Sequence, residues 1–361
     1  MAPIQSNPYT RPIAWWLVAC AAMVFIMVAL GGATRLTDSG LSMVEWKPLT
    51  VLPPLNDAEW LAEFKNYQTS PEFEKKNSWM AVDDFKNIYW LEFIHRLWGR
   101  LIGIVFAAPF AWFAFKSAMD KPLTLKLAGI FILGGAQGTL GWFMVASGLQ
   151  DRPDVSQYRL AAHLMLAFVV YGLILWVALD LFRATRRTPA QANPSPQFAR
   201  LTYVMTGGVL FVSLSGAFVA GLNAGLIHNT FPLMNGQLFP DGLYGPQPWY
   251  ISVFEDIMTV QFNHRVLAIS AVILIAVTWW RSRTIQLNFR ARALVNRLLV
   301  MAFFQMILGI STLLMAVPFG TALAHQAGAL ILFTIALCLT HEVRIPAAVN
   351  IAQGSRTKPA E

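Results

Sequence analysis

Glu92-Phe93-Ile94-His95-Arg96-Leu97-Trp98-Gly99-Arg100 stands at the head of a long apolar run, and Gln261-Phe262-Asn263-His264-Arg265-Val266-Leu267 repeats it 169 positions later. Two further histidines, His163 and His325, open apolar runs in the same way, 162 positions apart. Between them, Gln137 followed by Gly141 returns as Gln305 followed by Gly309, 168 positions on. Three matched features at nearly one spacing mark a tandem repeat.

The surroundings of these motifs are strongly apolar. Of 361 residues, 56% are hydrophobic and 13% charged, with mean hydropathy +0.51. A soluble domain carries about 25% charged residues. The apolar residues fall in runs of about 20, enough to cross a bilayer as helices. Eight spans are predicted: 13–33, 88–115, 127–145, 158–181, 201–221, 257–280, 298–316 and 321–342. The fold class is therefore all-α, a polytopic membrane protein of two tandem four-helix bundles. Residues 1–182 form the N-terminal half, 183–200 a linker rich in Pro and Ser, and 201–361 the C-terminal half. Four spans per repeat is an even number, so both copies share one orientation, unlike the inverted repeats of many transporters.

Charge sets the topology. Sixteen of the 27 basic residues fall in the N-terminal tail, loops 116–126, 182–200 and 281–297, and the C-terminal tail. Short basic segments stay in the cytoplasm, so both termini are cytoplasmic and the odd-to-even loops face outward. The first span has no small-residue cleavage site and no Arg- and Ser-rich leader, which favours a retained helix in a bacterial inner membrane. The net charge of +8 reads as topology. No basic, aromatic-interleaved patch suits nucleic acid. Cys20 and Cys338 lie inside spans, so no outer-loop disulfide is implied.

Four basic residues remain unplaced by this reading: Arg96, Arg100, Arg159 and Arg265. Each lies within five residues of His95, His163 or His264, at the outer ends of helices, where an anion would hold them. Among the acids only Glu92 remains. An ionisable group at the edge of a span is a functional candidate.

The two exits from spans 1 and 5 are rich in small residues. Laying Gly32 on Gly216 leaves Asn223 and Gly225 one place out of step with Asp38 and Gly40. Outer loop 34–87 reads as a lid. Asn56 with Glu59 forms a capping box, and Trp60, Leu61 and Phe64 are placed to lie on the membrane surface.

His95, His163, His264 and His325 thus sit at the outer ends of spans 2, 4, 6 and 8, which can face one another in a bundle. Two imidazoles from facing helices suit a six-coordinate haem iron. A helix N-terminus disfavours imidazolium and keeps the ring able to ligate. The four arginines would meet haem propionates. Zinc is disfavoured, because the pairs lack the short spacings and thiolates of such sites. His228 and His341 lie outside the pattern and read as ordinary polar residues. The halves differ at one place: Glu92, one turn before His95, is answered by Gln261. A symmetric electron carrier needs no such difference. A catalytic site beside a cofactor site does, with Glu92 as general base or as a stabiliser of positive charge at a reacting carbon.

With Gly31-Gly-Ala-Thr-Arg35-Leu-Thr-Asp38-Ser-Gly40, Glu92-Phe-Ile-His95-Arg96, Ala-Ala-His163-Leu, Phe-Asn-His264-Arg265 and Ala-His325-Gln in order along the chain, it resembles the haem A synthase family. The long first outer loop is similar to the proteobacterial and mitochondrial branch. The resemblance implies oxidation of the C8 methyl of haem O to a formyl group, giving haem A for cytochrome c oxidase. It implies that His264 and His325 hold a haem b cofactor, that His95 and His163 flank the substrate haem, and that Glu92 assists. It places both haem sites near the periplasmic face. An outer-loop cysteine pair found in some members is absent here.

The expected partners are haem O, an electron acceptor of unassigned identity, and membrane lipid. Association with the haem O synthase or with further copies of the chain is compatible with this reading. Two rivals stand beside it. One is a bis-histidine dihaem b-type cytochrome that relays electrons. The other is a haem chaperone or transporter, which ligands confined to one membrane face disfavour.

Overall fold

A computed structural model describes residues 7–45, 52–149, 155–185, 195–246 and 248–344. Arg152, most of the linker, and Arg356 and Lys358 of the C-terminal tail lie outside them. The described residues contain ten α-helices and no strand. Eight are long and apolar enough to cross a membrane: α1 (Thr10–Leu36), α3 (Val82–Phe115), α4 (Lys121–Gly148), α5 (Gln157–Ala184), α6 (Pro196–Gly221), α8 (Ile257–Ser282), α9 (Phe289–Leu314) and α10 (Phe319–Val343). The two short ones, α2 (Asp57–Gln68) and α7 (Trp249–Glu255), lie in the connections after α1 and α6.

Local sequence accounts for where the helices begin. Asp120, Ser195, Asp256 and Asn288 each accept a hydrogen bond from the backbone N–H three residues on. Such side chains satisfy amides that the first turn leaves unpaired. Pro196 occupies the first position of α6, where its missing N–H costs nothing. Most boundaries fall within a few residues of those predicted. The exceptions are α3, α4 and α9, which start six to nine residues earlier than hydropathy suggests. Asp84 accepts from the N–H of Ala81 and so starts α3 in polar sequence, and Asn288 does the same for α9.

Helices α1, α5, α6 and α10 form the centre, and α3, α4, α8 and α9 flank them. One apolar core runs through both halves. Phe168 of α5 packs on Phe333 of α10, and the Tyr171 hydroxyl meets that of Thr334 at 2.8 Å. Gln326 of α10 donates to the Val28 carbonyl of α1 at 2.7 Å. In lipid, close packing and such bonds, not hydrophobicity, hold helices together.

The capping box at the start of α2 forms as expected. Asn56 accepts from the Glu59 N–H, and Glu59 accepts from the Asn56 amide and the Leu55 N–H. The membrane-surface role of the helix is corrected. Trp60 and Phe64 are buried, and only Leu61 stays exposed. They pack with Tyr67 on Phe85, Ile88 and Tyr89, along the turns by which α3 extends beyond its predicted start. These turns supply the apolar partner that lipid was expected to provide. A π-helical turn, Phe73–Asn77, completes this unit. Inside it the Tyr67 hydroxyl donates to Glu72, and Asn77 donates to Tyr67. Burial pushes the Glu72 carboxyl up to about 8.

Candidate functional site

The small-residue exits from α1 and α6 match with Gly31 on Gly216, not Gly32. In this register Asp38 falls on Asn223, and both take left-handed backbone, φ 48° and 52°. The one-place slip expected from sequence therefore disappears. Gly31 lies against the His95 ring and Gly216 against His264. Gly32 faces Gln326 of α10 instead.

In this register the loop-binding arginines of the two halves make matching bonds. Arg96 donates to the carbonyls of Met43 and Glu45, and Arg265 to those of His228 and Thr230. Each arginine also bonds the residue one turn before it, Glu92 or Gln261. Arg96 and Arg265 therefore tie the exit loop to its helix, partners that counting charges could not foresee. Arg159 lies over the Phe143 ring, 4.8 Å from its centroid. Arg100 lies one turn beyond Arg96, half-buried.

Glu92 and Gln261 are both buried, yet they bond in opposite senses. Glu92 accepts from the Ser42 hydroxyl at 2.6 Å, from the Met43 N–H at 2.9 Å, and from Arg96. Gln261 donates to the carbonyls of Ala224 and Ile227, at 2.9 and 2.6 Å. One loop presents donors, the other acceptors, so each side chain suits its own half.

The histidines are half-buried. His95 lies within electrostatic reach of His163, and His264 of His325. His95 sits more than three turns inside α3, the other three about two turns inside their helices. The field of a helix end fades within one turn, so the helix termini do not tune these rings as the sequence suggested. Neighbouring side chains orient them. Ser215 Oγ lies 2.7 Å from His264 Nδ1. Gln305 Nε2 lies 3.1 Å from His325 Nδ1 and donates to the His325 carbonyl at 2.8 Å. In the other half Gln137 donates to the His163 carbonyl alone, at 3.0 Å. His163 Nδ1 is buried with no hydrogen-bond partner among the described residues. Leu30 stands where the repeat places Ser215, so no hydroxyl reaches His95 from that position.

Glycines let the rings sit close to the neighbouring helices. A Cβ on Gly309 would come within 2.8 Å of His325 Cε1, and one on Gly141 or Gly216 within 3.1 Å of its histidine. Gly134, Gly135 and Gly138 on α4 face open space. Facing imidazoles, glycine-lined walls and cations at the same end fit a flat, anionic iron macrocycle. His341, expected to be ordinary, is buried at the opposite end. It bonds Asp180 at 2.9 Å, meets Trp176 edge-on at 5.0 Å, and shares Asp180 with Arg344. His228 behaves as expected, its ring meeting Asn235 in the exit loop.

The fold is that of an all-helical, multi-pass membrane protein, with two pairs of histidines whose members lie within electrostatic reach of each other. A family of proteins described as cytochrome oxidase assembly proteins matches residues 14–337, and the chain belongs to that family. It is 50% identical over 347 residues to the heme A synthase of Nitrosospira multiformis, covering 94% of this chain and 96% of that one. To the heme A synthase of Paramagnetospirillum magneticum it is 48% identical over 340 residues, 94% and 95% of the two chains. To the "Heme A synthase COX15" of Arabidopsis thaliana it is 43% identical over 339 residues, 92% of this chain and 74% of that one.

Proposed function

We propose that this protein is a haem A synthase, an oxidoreductase that converts the C8 methyl of haem O to the formyl group of haem A for cytochrome c oxidase. His264 and His325 hold a resident haem b, and His95 and His163 flank the substrate haem. The supporting observation is the difference between two repeat-related halves. In the C-terminal half both imidazoles have a side chain at Nδ1. Such partners fix ring orientation and raise ligand affinity, as a permanent cofactor requires. In the N-terminal half His163 has none, and a substrate site must release what it binds.

Resident haem b supplies one-electron redox chemistry. The chain's own residues do the rest. Arg96, Arg100, Arg159 and Arg265 place positive charge at the histidine end, where propionates are favoured. In haem the C8 methyl shares its pyrrole ring with a propionate, so it belongs at that end too, beside Glu92. The Glu92 carboxylate, held by Ser42, Met43 and Arg96, is oriented to take a proton or to offset positive charge at the reacting carbon. Loop 37–45 closes on this end through its bonds to Glu92 and Arg96, and the α2 unit packs on the start of α3 beside it. Both termini are cytoplasmic, and the histidine end faces the periplasm of a bacterial inner membrane.

Chromatography of haems extracted from the purified protein, co-expressed with a haem O source, tests the reading. Haem b together with haem O, an oxidised intermediate or haem A supports it. Haem b alone, two per chain, overturns it in favour of an electron relay. Glu92→Ala is expected to lower haem A yield while haem b stays bound.

A further inference from the structure

The seam between α4 and α5 holds a cavity of about 550 Å³. Gly129, Ile130 and Leu133 line one side, and Leu173, Trp176 and Val177 the other. Resting on the function proposed above, we propose that this cavity receives the isoprenoid tail of haem O and so selects haem O over tailless haem.

Its position is the first argument. The same two helices carry His163, Gln137 and Gly141 at the histidine end. Leu133 lies about 12 Å along α4 from Gly141, and Leu173 about 15 Å along α5 from His163, at 1.5 Å per residue. In haem O the tail leaves the edge of the macrocycle away from the propionates. With propionates at the arginine end, the tail points down this seam. The volume falls in the range of roughly 300–1,000 Å³ usual for small-ligand sites, and the lining is apolar apart from Lys126 and Asp180 at the end away from the histidines.

The second argument is the matching seam of the other half, between α9 and α10. There Arg297, Leu298 and Met301 replace Gly129, Ile130 and Leu133, while Ile335, Cys338 and Leu339 replace Leu173, Trp176 and Val177. Arg297 thus brings a long side chain to the position where Gly129 has none, and the indole of Trp176 has no counterpart at Cys338. Haem b has no tail and needs no slot. The α4–α5 cavity lies in the half assigned to haem O.

The far wall is firm. Arg344 lies over the Trp176 ring at 5.3 Å and His341 meets its edge. Asp180, at the cavity's end, is held by the same two residues. This gives the part-buried Asp180–His341–Arg344 cluster a purpose: it fixes the floor of the slot.

Gly129 offers the test, because a Cβ there meets nothing within 4 Å. Gly129→Leu fills the cavity and also favours the helix. Equilibrium binding of haem O and of haem B to the N-terminal half is measured in protein whose C-terminal half already holds haem. The unsubstituted protein is expected to prefer haem O at least tenfold. Losing two methylene equivalents of burial already corresponds to roughly tenfold, so Gly129→Leu is expected to weaken haem O at least that much while leaving haem B unchanged. Equal affinity for both haems before substitution, or undiminished haem O binding after it, overturns the proposal and leaves the cavity to bilayer lipid. Leu173→Trp narrows the slot from α5 and replaces Gly129→Leu if that variant fails to retain haem b. Unsubstituted protein that binds haem O but makes no haem A counts against the function, not the cavity. Haem A synthesis with unaltered Gly129→Leu binding counts against the cavity alone.

Discussion

Glu92→Gln separates the structural from the chemical work of this carboxylate. The side chain keeps its size, but an amide has one acceptor oxygen where the carboxylate has two. If that oxygen stays with Ser42 and Met43, the new NH₂ faces the Arg96 guanidinium. If it turns toward Arg96, the NH₂ faces the Met43 N–H. Either way a buried donor confronts a donor, and Arg96 loses its counter-charge. Breaking a buried ion pair costs about 3–5 kcal/mol. Arg96 keeps the Met43 and Glu45 carbonyls, so the cost falls below that range, about 2–3 kcal/mol. At 1.36 kcal/mol per factor of ten, this is roughly a 30- to 150-fold rise in local opening. Hydrogen exchange of the 41–45 amides reads it directly, and haem A yield is measured in parallel. Unchanged exchange refutes the bonding argument. Faster exchange with full haem A yield would make Glu92 a strut and remove its role in the chemistry.

Other substitutions probe the remaining parts. Ser215→Ala removes the group at His264 Nδ1 and is expected to weaken haem b retention about 10- to 100-fold, read by haem loss to an apo-globin acceptor. Undisturbed retention would count against a permanent cofactor in that half. Gly309→Ala pushes a methyl to within 2.8 Å of His325 and should empty the C-terminal half of haem, whereas Gly103→Ala, in open space, should not. Gln261→Glu sets a carboxylate against two carbonyls and should destabilise the loop 222–230 by about 2–4 kcal/mol, visible as faster exchange there. Glu72 binds its proton more tightly folded than unfolded, so the α2 unit should lose stability as pH rises from about 4.5 to about 8. Glu72→Gln should flatten that dependence and raise protease resistance at pH 7.5, and a fall in resistance would refute it.

The sequence exposed the parts of the molecule that depend on period and count. Eight spans, four histidines and the Glu92–Gln261 difference are local or arithmetic features, and all are legible. What was hidden depends on which surfaces meet. Trp60 and Phe64 looked suited to lipid because hydropathy alone does not show that α3 begins at Val82. The glycine register needed Gly31 against His95, a contact 64 residues apart. Ser215 looked like one more small residue until His264 Nδ1 lay beside it. His341 seemed ordinary because Asp180 reaches it from another helix, and the α4–α5 cavity exists only as the space between two faces.

Arg35 ends α1 in the N-terminal half, yet its guanidinium donates to Asn223 at 2.8 Å and to the Ala220 carbonyl at 3.0 Å in the C-terminal half. Its own neighbour Asp38 takes the remaining nitrogen. The bridge joins the two exits next to the glycines that cradle His95 and His264. A seat that loads and unloads a large planar molecule must loosen, and loosening tends to spread. Under the proposed function, clasped exits would keep the substrate seat of one half at a set distance from the cofactor seat of the other. Electron tunnelling falls off steeply with separation, so on that reading the clasp would act as a spacer that holds the jump length constant through each cycle of loading.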